Sequence, residues 1–376
     1  MLTRYHKAEN GKLEKKALIY TAAEHSIDMR DLDPDAVRIV RKLRENGHEA
    51  YIVGGAVRDL LLAKRPKDYD IVTDAPPPRI KKIFYRSRII GRRFRLVHVY
   101  AGQKIYEVST FRSIGQGTIG NEYGTIDEDA LRRDFSINAL YYDPVANHIV
   151  DYVQGMRDIK AKRIVPVISL KTIFSEDPVR MIRAIKYSVS TGFSIAWLTR
   201  LAIRRTAPLL RTASVSRLGE EAIKIISSAK ALSICLELHA YGLLGAILPA
   251  MADFLDRSGP ARQALCDDIQ AMDDYVNRSG DKTLGALLTF LLRQPVLAAV
   301  QVPAADTAEA YRNALQQARA FLDPITLPRI EVEAAVRANF IAPEPKPKLH
   351  KPRKRRRRHK PHDDATGAIP PAALDT

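Results

Sequence analysis

The chain is poor in cysteine, holding only Cys235 and Cys266 in 376 residues. Two thiols this far apart lack metal-ligand spacing and build no disulfide framework, so free cysteines in a reducing compartment are expected. Long hydrophobic runs are also missing. The N-terminus, Met1-Leu2-Thr3-Arg4-Tyr5-His6-Lys7, has no apolar core of the kind a secretory signal needs. The most apolar stretches, Tyr241–Leu255 and Leu284–Val300, are broken by Pro249 and by Arg293 and Pro295, too short or interrupted for a bilayer span. The expectation is a cytoplasmic protein without stable membrane insertion. Acidic side chains are in deficit as well, with 43 Asp and Glu against 60 Lys and Arg and a net charge of +17. Ten of those cations fall within residues 346–360: Lys346, Lys348, Lys351, Arg353, Lys354, Arg355, Arg356, Arg357, Arg358 and Lys360. The remainder of the chain carries +7, so a moderately basic folded part bears a strongly cationic appendage. A polyanionic partner follows, nucleic acid or an anionic membrane surface.

What the chain does have is concentrated between residues 50 and 250. A short apolar run, Tyr51-Ile52-Val53, leads into Gly54-Gly55-Ala56-Val57-Arg58-Asp59-Leu60-Leu61-Leu62. Twelve residues beyond Gly55 begins Lys67-Asp68-Tyr69-Asp70-Ile71. If Tyr69–Thr73 is a strand, its two-residue period points Asp68 and Asp70 to one face and Tyr69 and Ile71 to the other. Two carboxylates on one face suit a hard cation such as Mg²⁺, with Mn²⁺ as an alternative, and such ions also bind substrate phosphates. Glycines at a helix start let backbone N–H groups approach a phosphate. A lone Gly-Gly is usually a turn and a lone Asp-x-Asp usually a solvated loop. Their joint spacing around a helix reads as metal-assisted transfer of a nucleotidyl group from a triphosphate.

The surrounding pattern alternates strands and helices. Asp33-Pro34 predicts an N-cap followed by proline at the first helical position, and Gly47 a stop. Strands are predicted at Ala50–Val53, Tyr69–Thr73, Leu96–Tyr100 and Ile105–Thr110, with helices at Ala56–Ala63 and Pro78–Tyr85 and a hairpin turn at Ala101-Gly102. This gives an α/β head with a mixed sheet up to about residue 165. Residues 1–30 are polar and weakly periodic and predict an extension lying on the surface. Past Glu176 strand signals vanish and helical patterns run to residue 340. The Pro, Lys and Arg composition from Ala342 cannot bury an apolar core and predicts disorder in isolation.

Three further clusters carry chemistry. Ile105-Tyr106-Glu107-Val108-Ser109 sets Glu107 on a strand, where a third carboxylate could complete a metal cage, position an attacking hydroxyl, or simply stand on an open sheet face. In Leu131-Arg132-Arg133-Asp134-Phe135-Ser136-Ile137-Asn138, paired arginines suit phosphate oxygens. Asp134 and Asn138 would share a helix face within reach of ribose hydroxyls. Ser175 predicts the N-cap of a helix whose apolar stripe is Val179, Ile182, Ile185 and Val189, leaving Asp177 and Arg180 as an i,i+3 pair on another face.

Together these segments resemble the nucleotidyltransferase superfamily enzymes that comprise bacterial poly(A) polymerases and CCA-adding tRNA nucleotidyltransferases. The resemblance implies an α/β nucleotidyltransferase head with a mixed sheet, all-α neck and body domains, and a disordered basic C-terminal tail. On that basis residues 1–30 are an N-terminal extension, 31–165 the catalytic head, 166–225 the neck, 226–340 an RNA-binding body and 341–376 the tail. It further implies that Asp68 and Asp70 bind the metal ion and that Glu107 is the third acidic residue. Gly54, Gly55, Arg58, Arg133, Asp134 and Asn138 would hold the nucleotide's phosphates and sugar, and Asp177 and Arg180 the edge of the base. The chain departs from the family pattern at Ser136 (usually Thr), at Gln154 (usually Gly), and at Ile168-Ser169-Leu170 and Ile173, where Gly-Asp-Pro and an arginine are customary.

Ile89-Ile90-Gly91-Arg92-Arg93-Phe94-Arg95-Leu96-Val97-His98 resembles the segment of the polymerases in particular, with Arg92 and Arg93 expected to meet RNA. An enzyme acting on diverse RNAs needs phosphate contacts that ignore sequence, and the basic tail fits that need. The implied activity is addition of AMP from ATP to RNA 3′ ends, with CCA addition to tRNA as the alternative and an RNA-binding protein with an inactive head as a second. An RNA 3′ end and ATP are the implied partners; whether RNA-decay proteins bind is not legible.

Overall fold

The computed structural model describes residues 2–7, 13–91, 95–113, 123–300 and 306–340. Nine strands form one sheet: β1 (Leu2–Lys7), β2 (Leu13–Tyr20), β3 (Ala50–Val53), β4 (Asp70–Thr73), β5 (Ser87–Ile90), β6 (Leu96–Ala101), β7 (Lys104–Thr110), β8 (Leu140–Asp143) and β9 (His148–Asp151). Their order is β1-β2-β9-β8-β3-β4-β7-β6-β5. Only β4 and β7 run parallel; the other neighbours are antiparallel, so the sheet is mixed as expected.

The predicted punctuation is present. Asp33 caps α1 (Pro34–Glu45), its side chain accepting the Asp35 N–H, and Gly47 follows the helix at φ +82°. Ala36, Ile39, Val40 and Leu43 bury the stripe of α1. Beside it lie α2 (Gly55–Leu61) and α3 (Pro77–Ile83), and their apolar faces meet Ile52, Ile71, Val97 and Val108 on one side of the sheet. The opposite side packs Tyr51, Val53, Val72, Phe111 and Tyr141 against α4 (Ile126–Leu131). Alternate residues of β3 and β4 thus feed two separate cores, as a period of two requires.

Two expectations change here. Residues 1–30 do not simply lie on the surface: β1 pairs with β2, and β2 continues the sheet through Leu18–Tyr20 against β9. β1 is an edge strand, where polar and apolar residues mix, and β2 begins with the polar run Glu14-Lys15-Lys16, so the alternation of both is weak in sequence. After Glu176 one two-residue strand remains among the described residues, Ser194–Ile195, running parallel to Arg163–Ile164.

The helical part begins with α5 (Gly155–Lys160), α6 (Ile173–Glu176), α7 (Val179–Thr191), α8 (Trp197–Thr206) and α9 (Val215–Ile226). Among the described residues eight more helices follow, from Ala231–Ala240 to Arg329–Asn339. A single core runs through this region and reaches into the head at Phe135, Ile137 and Ile164. The junction is stitched by backbone: Ser136 N–H donates to Val165 (2.9 Å) and Val167 N–H to Asp134 (3.1 Å). The Ile168-Ser169-Leu170 departure therefore leaves the head joined to the helices. No helix among the described residues is long and apolar enough to cross a membrane.

Candidate active site

Where β3 ends, Gly54 turns the chain at φ +76°, a conformation that favours glycine, and α2 starts at once. A Cβ on Gly54 would lie 3.6 Å from Asp70 Oδ2 and 3.8 Å from Arg133, so this backbone forms the wall of a site. The site is a cleft of about 760 Å³ between the sheet's end and α7 and α9. It brings together Gly54, Gly55, Arg58, Asp68, Asp70, Arg133, Asp134, Asn138, Asp177 and Arg180. Glu107 does not line the cleft. It stands beside Asp70 in the parallel β4–β7 register, with His98 Nε2 at 3.7 Å from its carboxylate. Arg92, Arg93 and the tail cations Lys351, Arg353, Lys354, Arg355, Arg356, Arg357 and Arg358 lie outside the described residues.

Asp70 opens onto the cleft, but the protein around it limits its solvation. That desolvation first, and the Glu107 carboxylate second, push its pKa up to about 6; Asp68 adds to the rise and Arg133 opposes it. Negative charge crowded in this way is what a bound divalent cation neutralises. Among the described residues no three His, Cys, Asp or Glu side chains group as a metal site, and Glu107 stands beside Asp70 without lining the cleft. Mg²⁺ needs only one or two carboxylates when substrate phosphates supply the remaining oxygens. The donor set of Asp68 and Asp70 fits that requirement.

The cationic wall is firmly positioned. Arg133 is ion-paired to Asp129 at 2.8 Å and donates to the Tyr141 hydroxyl at 3.0 Å, while that hydroxyl donates to Asp129 at 2.6 Å. Burial alone would raise the Asp129 pKa, but Arg133 and the Tyr141 hydrogen bond outweigh it and hold the carboxyl below its usual value. Arg58 donates to Asn138 Oδ1 at 2.8 Å and to Asp59 at 2.7 Å, with its guanidinium 5.4 Å from the centre of the Tyr187 ring. The Asn138 Nδ2 is buried and has no hydrogen-bond partner, leaving a donor ready for a ligand. Asp134 and Asn138 do not share a helix face: only Ser136–Asn138 is helical, a single 3₁₀ turn with Asp134 two residues before it, yet both residues line the cleft. Arg132 also lines the cleft and donates to the Ser113 carbonyl at 2.7 Å.

Asp177 and Arg180 form the expected i,i+3 ion pair only at 4.0 Å, and each has closer partners. Ser175 lies inside α6 and donates to Thr172; the residue that caps α7 is Asp177, whose Oδ1 accepts the Val179 N–H at 3.2 Å. Its Oδ2 takes Arg217 of α9 at 2.6 Å and lies 4.0 Å from Arg180 Nε. Arg180 instead donates to Glu176 (3.2 Å) and to the Ile173 carbonyl (3.1 Å). Several side chains of this wall have no counterpart among the residues the sequence singles out. Arg183 pairs with Asp134 at 2.8 Å and donates to Tyr187 at 3.0 Å, and Lys186 pairs with Glu221. Arg183 and Tyr187 follow Arg180 at helical spacing and were legible by that period; Arg217 and Glu221, on another helix, gave no local signal.

A mixed sheet whose end carries two carboxylates, capped by helices bearing arginines, defines a nucleotidyltransferase. Residues 50–165 match the family described as "Poly A polymerase head domain", and residues 192–255 the one described as "Probable RNA and SrmB- binding site of polymerase A". The chain is 39% identical to poly(A) polymerase I of Haemophilus influenzae over 67% of its own length and 59% of that protein. It is 32% identical to poly(A) polymerase I of Salmonella typhi over 82% of its length and 70% of that protein. Among solved structures, the CCA-adding enzyme of Bacillus stearothermophilus in complex with CTP superposes with a TM-score of 0.54 at 30% identity, covering 82% of this chain and 83% of that one. The chain belongs to the family of bacterial poly(A) polymerases and CCA-adding tRNA nucleotidyltransferases.

Proposed function

We propose that the chain adds AMP from ATP to RNA 3′ ends without a template. The observation that carries this reading is the convergence of Asp68 and Asp70 with Arg58, Arg133 and the Asp177–Arg180 pair in one cleft. In the transfer, the RNA 3′-oxygen forms a bond to the α-phosphorus of ATP. The bond from that phosphorus to the bridging oxygen breaks, pyrophosphate leaves, and the hydroxyl proton passes to solvent. Asp68 and Asp70 would hold Mg²⁺ or Mn²⁺, which when bound lowers the cost of charge on the attacking and leaving oxygens.

The chain's own residues set the geometry. Gly54 and Gly55 offer backbone to the triphosphate, with Arg58 and Arg133 as fixed cations on either side. Asn138 Nδ2 donates to a ribose hydroxyl. Asp177 and Arg180 present an acceptor and a donor to the base edge, and adenine offers the complementary amino donor and ring-nitrogen acceptor. Glu107, beside Asp70, keeps the site electronegative where the hydroxyl enters. In domain terms residues 31–165 serve as catalytic head, 166–225 as neck and 226–340 as RNA-binding body, with the basic tail at 341–376 as a further RNA contact.

The poly(A) polymerase relatives, the Gly91-Arg92-Arg93-Phe94 segment and the ten cations of residues 346–360 favour ATP and diverse RNAs. The structural likeness to a CCA-adding enzyme supports CCA addition as the second reading. Purified protein with Mg²⁺, an RNA lacking tRNA structure and each nucleoside triphosphate in turn separates them. Long adenosine tracts from ATP alone are expected. Addition that stops after C-C-A on tRNA and ignores other RNAs would overturn the choice, and absence of any pyrophosphate release would point to an RNA-binding protein with an inactive head.

A further inference from the structure

A second groove, of about 730 Å³, lies against the first. The two share Lys67 and Asp68; Gly54 and Arg133 line only the cleft, whereas Lys104 and Tyr106 line only the groove. Asp68 is thus a ridge between two depressions. In-line transfer puts the attacking oxygen and the leaving group on opposite sides of phosphorus. With the triphosphate on the Gly54–Arg133 side, the attacking hydroxyl must come over Asp68 from the other side.

The groove is suited to a polyanion. Its wall is the loop between α2 and β4, where Lys64, Arg65 and Lys67 stand exposed within four residues. Arg65 and Lys67 form no ion pair among the described residues. The loop's neighbours hold it in place: Lys64 donates to the Ser190 carbonyl at the end of α7 (3.4 Å), and the Tyr69 hydroxyl donates to the Asp31 carbonyl (3.3 Å). The carboxylate of Asp33 is already satisfied, by Lys104 at 2.6 Å and by the Tyr106 hydroxyl at 2.8 Å, and so offers little repulsion to an entering phosphate. A second observation points the same way. Lys282, from the connection between helices Pro260–Ser279 and Leu284–Leu291, lines neither depression but is close enough to Lys67 for their ammonium groups to interact, with Asp68 nearby. Two ammonium groups from distant parts of the chain side by side are mutually repulsive, and an anion between them removes the repulsion.

We propose that this groove carries the RNA strand immediately upstream of its reacting 3′ end, with its phosphates on Arg65, Lys67 and Lys282. The proposal rests on the reading of the cleft as a site of RNA extension. Arg65→Glu is the informative variant, because Arg65 lines the groove and not the cleft. The expected result is a rise in KM for RNA on the order of tenfold, a log–log salt dependence shallower by about 0.7 for each phosphate no longer neutralised, and unchanged KM for ATP. An RNA carrying 4-thiouridine at its penultimate position, irradiated on wild-type protein, should form adducts within residues 62–69 or 104–106. An unchanged RNA KM, or adducts confined to other peptides, overturns the groove assignment while leaving extension intact. A wild-type protein that extends no RNA with any nucleotide overturns the reading of the cleft itself.

Discussion

Arg58 donates to Asn138 Oδ1 at 2.8 Å, tying the helix that follows the glycine pair to the turn that follows Arg133, eighty residues on. The bond fixes the orientation of the Asn138 amide, so that its Nδ2 is left as the free donor in the cleft. It also adds a second hold on the Arg58 guanidinium, beside the one from Asp59. Asn138→Ala removes both functions at once. KM for ATP should rise about tenfold or more, since losing a buried hydrogen-bond partner costs about 1–3 kcal/mol. KM for RNA should not move. Steady-state kinetics with each substrate varied separately checks this, and an equal change in both constants would count against a nucleotide-specific role.

Asp70→Ala should abolish extension and leave RNA binding nearly intact. The side chain stands against the glycine backbone at the cleft wall and contacts no expected RNA phosphate. Loss of a metal ligand should cost several kcal/mol, on the order of a thousandfold in rate or more. A filter-binding titration beside an extension assay measures both. Near-normal turnover would place the metal elsewhere.

Nucleotide choice should relax in Asp177→Ala and Arg180→Ala more than catalysis slows. Arg217 gives this prediction a sharper form. It holds Asp177 Oδ2 at 2.6 Å, so Arg217→Ala frees the carboxylate that would read the base. Misincorporation should increase in that variant too, by less than in Asp177→Ala, because the Val179 N–H still orients the carboxylate. Competition between ATP and CTP on one RNA primer reads the order. Unchanged preference in all three variants would reduce the set to a structural ion-pair network.

Why Asp68, Asp70 and Arg133 could be picked out from the sequence while their cleft neighbour Arg217 could not follows from the range of the interactions. The glycine turn, the cap at Asp33 and the period-two strands are local, and each appears where the chain pattern puts it. Helix α7 was half legible: its apolar stripe is correct, yet the side chain that caps it is Asp177 and not Ser175, because Pro178 disfavours helical geometry in the residue before it, and Asp177 is extended. Strand β1 was missed because an edge strand needs no regular burial, and β2, paired on both sides, because its polar start Glu14-Lys15-Lys16 masks the period of two. Pairings such as Lys186 with Glu221, or Arg183 with Asp134, join segments brought together only by the fold, and no window of sequence contains both partners.

Asp129 gives a stability prediction with a defined pH dependence. Its folded pKa lies below the ordinary value because Arg133 and the Tyr141 hydroxyl favour the charged form more than burial disfavours it. A depressed carboxyl pKa adds stability above the unfolded value, about 3.9, and that stability is lost as pH falls through the folded value. Asp129→Asn leaves Arg133 without its buried partner and should cost about 3 kcal/mol at pH 7. Below about pH 4 the gap should narrow, since the wild-type carboxyl is then becoming protonated too. Urea titrations of both proteins at about pH 7 and about pH 3.5 test this; a gap independent of pH would show that the ion pair is not its source.

Deleting Pro345–Thr376 should weaken RNA binding and flatten its salt dependence while leaving the chemistry of the cleft in place. Charge alone sets the effect: ten cations lie within residues 346–360. If about half of them meet phosphates, the log–log salt slope should shrink by roughly 3 to 4, at about 0.7 per phosphate on single strands. The tail would then contribute on the order of a hundredfold more to affinity at 50 mM than at 200 mM salt. A polybasic segment also binds anionic lipid, so titration against vesicles containing anionic phospholipid belongs beside the RNA titration. The groove cations Arg65 and Lys67 predict a residual slope in the truncated protein, and Arg65→Glu in that background should lower it further. If full-length and truncated proteins show the same RNA salt slope, the tail is not an RNA-binding arm, and the moderately basic remainder must supply the phosphate contacts.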